Sequence, residues 1–278
     1  NNVYTATGSF TPSVTKALSG RTLAADEFEF ELKEGTAVLQ TVKNLADGSI
    51  PFTAINYTLA DVGTHTYTIT EKGGTLRGVA YDKMTVTYIV KVSDKGDGTL
   101  NVLYDTPNDT VFNNVYTATG SFTPSVTKAL AGRTLAAEEF EFELKEGTAV
   151  LQTVKNLADG SIPFAAVPYT LADLGVYTYT ITEKVSGLGG VTDDAMTVTY
   201  VVTVTDNRDG TLMAAFTAPA DTEFNNTYLA ADVDATIRGT KVLTGRALAD
   251  GEFSFELYPA DETGVVAAEA MAIATTTN

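Results

Sequence analysis

The sequence predicts an all-β fold, tandem Ig-like antiparallel β-sandwich modules arranged as a rod. Three observations carry that expectation. Apolar and polar residues alternate with a period of two wherever a pattern can be followed. Turn-forming residues punctuate the chain at short intervals. The chain also repeats itself: residues 3–62 and 115–174 differ at six of sixty positions, and the register then holds, Lys16 returning as Lys128 (128 − 16 = 112). A unit of that length can bury its own core, so the period means serial globular modules rather than a solenoid of short units.

The elements follow in order. Val14, Lys16 and Leu18 share one face of the first readable strand. Phe28, Phe30 and Leu32 alternate with Glu27, Glu29 and Glu31, one face apolar and the other a solvated row of acids. Tyr67, Ile69 and Glu71 share a face of the next long strand. Met84, Val86, Tyr88, Val90 and Val92 alternate with Thr85, Thr87 and Lys91. Asp97-Gly98 suits a tight hairpin turn, after which Leu100, Val102 and Tyr104 resume the pattern. Phe112, Asn114 and Tyr116 close the unit. Further turn signals stand at Ser19-Gly20, Asp47-Gly48 and Gly73-Gly74, and no stretch has a convincing helical period. The expected modules are 1–116, 117–228 and a truncated start of a third at 229–278. Residues 1–2 read as the tail of a preceding module, and Thr117–Gly120 as a short linker.

Composition narrows the function. Thirty-five acidic residues against eighteen basic ones leave a net charge of −17, which makes nucleic acid and anionic membrane poor partners. The absence of cysteine excludes disulfides, thiolate metal sites and thiol catalysis. No apolar run approaches the length of a membrane span. Asp47, Asp94 and Asp97 beside glycines lack the remaining ligands of a calcium loop, so neither a metal nor any other cofactor is expected.

Three residues break the apolar pattern: Lys16, Glu71 and Asn114 each sit at an inward position of a strand, and Lys128, Glu183 and Asn226 repeat them. A lone buried ammonium or carboxylate is costly, so such groups pair or neutralise. Together they have a chemical outlet. Desolvation leaves a neutral amine able to attack the asparagine Cγ and a protonated acid able to pass a proton to departing ammonia. The product is a Lys–Asn isopeptide bond formed once, by proximity. Asn113 and Asn225 remain competing bond partners, since an edge bulge would turn either inward. The bland alternative is a lysine that snorkels from a strand end. His65 is replaced by Tyr177 in the second copy, so no shared chemistry depends on it.

The segments Thr15-Lys16-Ala17-Leu18-Ser19-Gly20-Arg21, Glu27-Phe28-Glu29-Phe30-Glu31-Leu32, Tyr67-Thr68-Ile69-Thr70-Glu71 and Phe112-Asn113-Asn114-Val115-Tyr116 resemble the isopeptide-linkage domains of Gram-positive pilins. The resemblance is to streptococcal FctA-type backbone pilin domains within the wider CnaB-like group. It implies that a lysine on the first strand bonds an asparagine on the last, with a central acid as catalyst. By motif position these are Lys16, Glu71 and Asn114, then Lys128, Glu183 and Asn226. Asn2 and Lys241 would be the unpaired remnants of a preceding and a following site. No Tyr-Pro-Lys pilin motif and no LPxTG-like sorting signal is present. The expected function is therefore structural, a stalk or fibre of a Gram-positive surface protein, either a pilin or a large adhesin. Such a protein is extracellular and attached to the cell surface or wall. Its partners are neighbouring repeats of the same chain and, through a distal tip, the host surface. The alternative is a module that itself binds host protein or glycan. Turnover catalysis is not expected.

Overall fold

A computed structural model describes residues 2–278; Asn1, one of the two residues assigned above to a preceding module, lies outside the described residues. In the first repeat, ten strands run in order: β1 (Thr7–Phe10), β2 (Thr15–Ser19), β3 (Glu29–Glu34), β4 (Ala37–Lys43), β5 (Ile55–Thr58), β6 (Gly63–Glu71), β7 (Val79–Ala80), β8 (Thr85–Asp94), β9 (Leu100–Tyr104) and β10 (Val111–Tyr116). The second repeat reproduces them as β11 (Thr119–Phe122), β12 (Thr127–Ala131), β13 (Glu141–Glu146), β14 (Ala149–Lys155), β15 (Val167–Thr170), β16 (Gly175–Glu183), β17 (Val191–Thr192), β18 (Thr197–Asp206), β19 (Leu212–Phe216) and β20 (Glu223–Tyr228). The long strands are rich in threonine, valine and tyrosine, residues that suit a pleated surface with one wet face.

Each repeat is a sandwich. One layer is a five-stranded antiparallel sheet, ordered β4-β3-β6-β8-β9 in the first repeat. The other is made of β2-β10-β7 and the pair β1-β5. The first core lies between the layers, with Phe28, Phe30, Leu32, Ile69, Val86 and Val90 from one and Phe10, Val14 and Phe112 from the other. Within the second layer β2 and β10 run parallel, in the register Phe112 to Lys16 and Asn114 to Leu18. Period-two alternation reports which face a residue takes and not which strand lies beside it, so this parallel closure of β2 on β10 was not readable.

The stretch expected to link the repeats is not a free connection. Thr119 and Gly120 open β11, which pairs antiparallel with β15, and Ala118 is buried in the second core. Four residues of Thr-Gly-Ser-Phe composition are too few and too polar to show a strand period. Tyr116 ends β10 of the first repeat, yet its ring belongs to the second core. Its hydroxyl donates to Asp206 Oδ1 at 2.7 Å and accepts from Gly210 N at 3.1 Å. Arg21 lies over the ring, 5.0 Å from the centroid. Beside it Gly78 and Gly210 touch backbone to backbone; a Cβ on Gly78 would lie 2.7 Å from Gly210 Cα. Both glycines have positive φ, so neither position accepts a side chain at low cost.

The chain divides into two compact units, one ending at Leu229 and one covering Ala230–Asn278. In the second unit β21 (Ser254–Leu257) and β22 (Ala274–Thr277) form an antiparallel hairpin. Phe255 and Leu257 on β21 are 43% and 37% exposed, whereas Phe30 and Leu32, which carry the same alternation in the first repeat, are at 0%. Among the described residues no helix is long and apolar enough to cross a membrane.

Candidate functional site: a buried lysine, carboxyl and asparagine

Strand alternation carries the three polar residues inward from two layers. Lys16 on β2 and Asn114 on β10 come from the smaller layer; Glu71 ends β6 in the five-stranded sheet, opposite Phe30. Lys16 Nζ donates to Glu71 Oε2 at 3.0 Å and to the Phe112 carbonyl at 3.1 Å. Asn114 Nδ2 donates to the other carboxyl oxygen, Oε1, at 2.7 Å. The side chains of Lys16 and Glu71 are wholly inaccessible to solvent. Apolar rings wall the site: Lys16 Nζ lies 4.7 Å from the Phe28 centroid, and Phe30 and Phe112 pack at 5.1 Å.

The second repeat brings together the same atoms. Lys128 Nζ meets Glu183 Oε2 at 2.9 Å, and Asn226 Nδ2 meets Oε1 at 2.6 Å. Both side chains of that ion pair are again inaccessible, and Lys128 Nζ stands 4.6 Å from the Phe140 centroid.

Burial sets the electrostatics. Desolvation pushes the Lys16 and Lys128 amines down from the ordinary lysine range, against the opposing pull of Glu71 and Glu183. Desolvation pushes both glutamates up, although their hydrogen bonds to the lysine and asparagine act in the other direction. Each pair is thereby moved toward a neutral amine and a protonated acid, the protonation states that nucleophilic attack and proton delivery require.

The competing asparagines face away. Asn113 is exposed and its Nδ2 donates to the Val111 carbonyl at 2.9 Å; Asn225 does the same to Glu223 O at 3.0 Å. Asn2 is exposed. Lys241, in the second unit, is exposed as well, with Nζ 4.5 Å from the Phe253 ring centroid. Glu27, Glu29 and Glu31 form separate surface ion pairs with Arg21, Lys72 and Lys33. Asp47 and Asp97 each cap their own turn, accepting from Ser49 and Thr99.

Sequence reasoning missed two groups around the site. Asp82 N donates to Asn114 Oδ1 at 2.7 Å, and Asp194 N to Asn226 Oδ1 at 2.7 Å; a backbone donor leaves no signal in residue type. Asn44 and Asn156 are fully buried, each accepting from a phenylalanine N–H and donating to two backbone carbonyls, so they hold the entry to β3 and β13. A polar residue recurring at the same place in both repeats was the available clue.

Comparison with known proteins follows the same lines. The family model described as FctA, Spy0128-like isopeptide containing domain, matches residues 12–117 and 124–229. No curated protein matches the chain. Among solved structures, the major pilin T3.2 of Streptococcus pyogenes aligns at 15% identity over 80% of this chain and 95% of its own, with a TM-score of 0.28. The T-13 major pilin of the same species aligns at 17% identity over 79% and 97%, with a TM-score of 0.27. Two B repeat units of the collagen binding protein of Staphylococcus aureus align at 16% identity over 79% of this chain and 50% of theirs, with a TM-score of 0.18.

Proposed function

The chain belongs to the family of Spy0128-like isopeptide-containing domains, and on that premise we propose that it is a structural segment of a Gram-positive surface stalk or fibre whose modules seal themselves by Lys–Asn isopeptide bonds. The modules are 1–116 and 117–228, with 229–278 the start of a third. Lys16 bonds Asn114 with Glu71 as acid–base catalyst, and Lys128 bonds Asn226 with Glu183. Each acid serves one turnover on its own module, so the protein is not an enzyme. Its place is extracellular, on the cell surface or wall, with neighbouring repeats as its partners.

The observation that carries this reading is the wholly buried Lys–Glu–Asn cluster, present with the same contacts in both repeats. A buried ion pair alone is weak as a stabilising device, because desolvation offsets most of the attraction. The cluster is better explained by a reaction that removes the charges. By analogy with a disulfide closing a loop of comparable length, each bond adds on the order of 4–5 kcal/mol. It cannot be reduced, which suits a chain without cysteine.

Intact mass of the folded chain tests the proposal. The expected value is lower than the sequence mass by two ammonia molecules, and tryptic digestion yields branched peptides joining the Lys16 region to Asn114 and the Lys128 region to Asn226. Lys241 remains a free amine. A folded chain at its unmodified sequence mass sinks the reading.

A further inference from the structure

We propose that the peptide N–H of Asp82, and that of Asp194 in the second repeat, is the oxyanion donor of the cross-linking reaction, held in place by its own side chain. This rests on the function proposed above. The N–H points at the oxygen that gains charge, Asn114 Oδ1 at 2.7 Å and Asn226 Oδ1 at 2.7 Å. The Asp82 carboxylate braces that donor from two sides. Its Oδ2 accepts from Asn113 N at 2.7 Å, and its Oδ1 accepts from Met84 N at 2.8 Å. Asp194 makes the same two contacts, with Asn225 N at 2.7 Å and Met196 N at 2.8 Å. The carboxylate thus ties the loop between β7 and β8 to β10 at the residue just before the reacting asparagine.

The segment that carries this loop is one of the places where the repeats diverge. Seven of thirteen positions differ between 72–84 and 184–196, yet Asp82 and Asp194, with Met84 and Met196, are kept. The two residues that make the brace are thus among the six that are retained.

The reaction then has a partner for every atom that changes charge. Neutral Lys16 Nζ adds to Asn114 Cγ, and the carbonyl π pair moves onto Oδ1, where the Asp82 N–H meets it. Protonated Glu71 gives its proton to Nδ2, which it already contacts at 2.7 Å, and takes one back from Nζ, 3.0 Å from its other oxygen. The π bond re-forms, the Cγ–Nδ2 bond breaks and ammonia leaves. One amine and one carboxamide become one secondary amide and one ammonia, with no net proton and no electron transfer. A fixed donor in a site from which water is excluded lowers the barrier more than the same contact in water.

The test is carried out on the full chain, with ammonia loss followed by intact mass and peptide mapping from the moment of cell-free synthesis. Replacing Asp82 by its α-hydroxy acid, introduced by nonsense suppression, turns the N–H into an ester oxygen and leaves the carboxylate brace intact. Bond formation in the first repeat is expected to slow by roughly 10²–10³-fold, the usual effect of deleting one oxyanion donor, while the second repeat reacts at its ordinary rate. An unchanged first-repeat rate overturns the proposal. Loss of reaction in both repeats of the unsubstituted chain overturns the function on which it rests, and this inference with it. D82A removes both the brace and a charge that raises Lys16 and Glu71, so the rate falls and the whole pH profile moves to lower pH. A profile that moves toward ordinary lysine and glutamate values instead means the pocket has opened, and the bracing role is wrong. Should D82A not fold, D82N, with one acceptor oxygen kept, is expected to fall between it and the parent.

Discussion

The two repeats differ most tellingly at one position inside an otherwise shared site. Residue 81 is tyrosine in the first, its ring edge-on to Phe28 at 5.7 Å and its hydroxyl accepting from Leu76 N. The equivalent residue in the second is Asp193, whose Oδ2 accepts from Ser186 N at 2.9 Å and whose Oδ1 lies 3.3 Å from Asn226 Nδ2. The second site therefore holds its asparagine amide between two carboxyl groups, where the first uses one and an aromatic wall. Asp193 pushes both Lys128 and Glu183 upward, as Asp82 does Lys16 and Glu71 in the first repeat. The same lysine, carboxyl and asparagine arrangement is thus found beside an aromatic flank in one repeat and an acidic flank in the other.

The largest expected effect removes the acid from one site only. Glu71→Ala should leave the first repeat folded but unbonded, so the chain loses one ammonia instead of two. Losing a cross-link worth on the order of 4 kcal/mol lowers that repeat's melting midpoint by roughly 20 °C, and the second repeat melts as before. Calorimetry of the full chain separates the two transitions; a mutant that still bonds at the parental rate removes Glu71 from the mechanism.

The next concerns pH. Bond formation needs a neutral amine and a protonated acid, so its rate should be bell-shaped, falling on the acid side as the lysine protonates and on the alkaline side as the glutamate ionises. Asp193 raises both partners in the second site, so Asp193→Asn should move that bell to lower pH and leave the first repeat's where it was, as read by site-specific peptide mapping across pH. An unmoved second bell would remove Asp193 from the electrostatics.

A smaller effect separates the repeats at their leading edges. Tyr4 makes the same contacts to Asp94 and Gly98 as Tyr116 makes to Asp206 and Gly210, but Tyr4 is 47% exposed and Tyr116 1%. Tyr116→Phe should cost about 1–2 kcal/mol, since it orphans partners at a covered junction; Tyr4→Phe, whose partners stay open to water, should cost less. Chemical denaturation of the second and first repeats, respectively, checks both.

The smallest is confined to His65, which is Tyr177 in the second repeat. The Asp61 carbonyl raises the imidazole's pKa, opposed by partial burial and helped by Glu34. A raised folded-state value contributes stability that is complete below the unfolded pKa, near 6.5, and is lost as pH rises through the folded value. The first repeat should therefore gain a fraction of a kcal/mol relative to the second on acidification through that range, a gain that His65→Tyr abolishes.

How much of this was legible depends on whether the signal was local. Alternation alone put Lys16, Glu71 and Asn114 on inward faces, because side-chain direction along a strand is set by parity. The same rule turned Asn113 outward. What alternation could not reveal was adjacency: that β2 lies parallel beside β10, and that β6 in the opposite layer carries Glu71 to both. The Asp82 N–H escaped for another reason, being a property of loop geometry that any residue type could supply. Tyr116 escaped because it belongs to one repeat by chain and to the next by packing.

The parallel register of β2 and β10 has a mechanical consequence. A load pulling the chain apart draws β2 toward the incoming end and β10 toward the outgoing end, so the two strands are dragged past each other lengthwise. Their ladder, from Thr15 beside Val111 to Ser19 beside Val115, is strained all at once instead of being unzipped rung by rung. A covalent tie between Lys16 and Asn114 would sit across that sliding plane, and the extensible part of the chain would then be confined to residues 115–127, between one module's tie and the next.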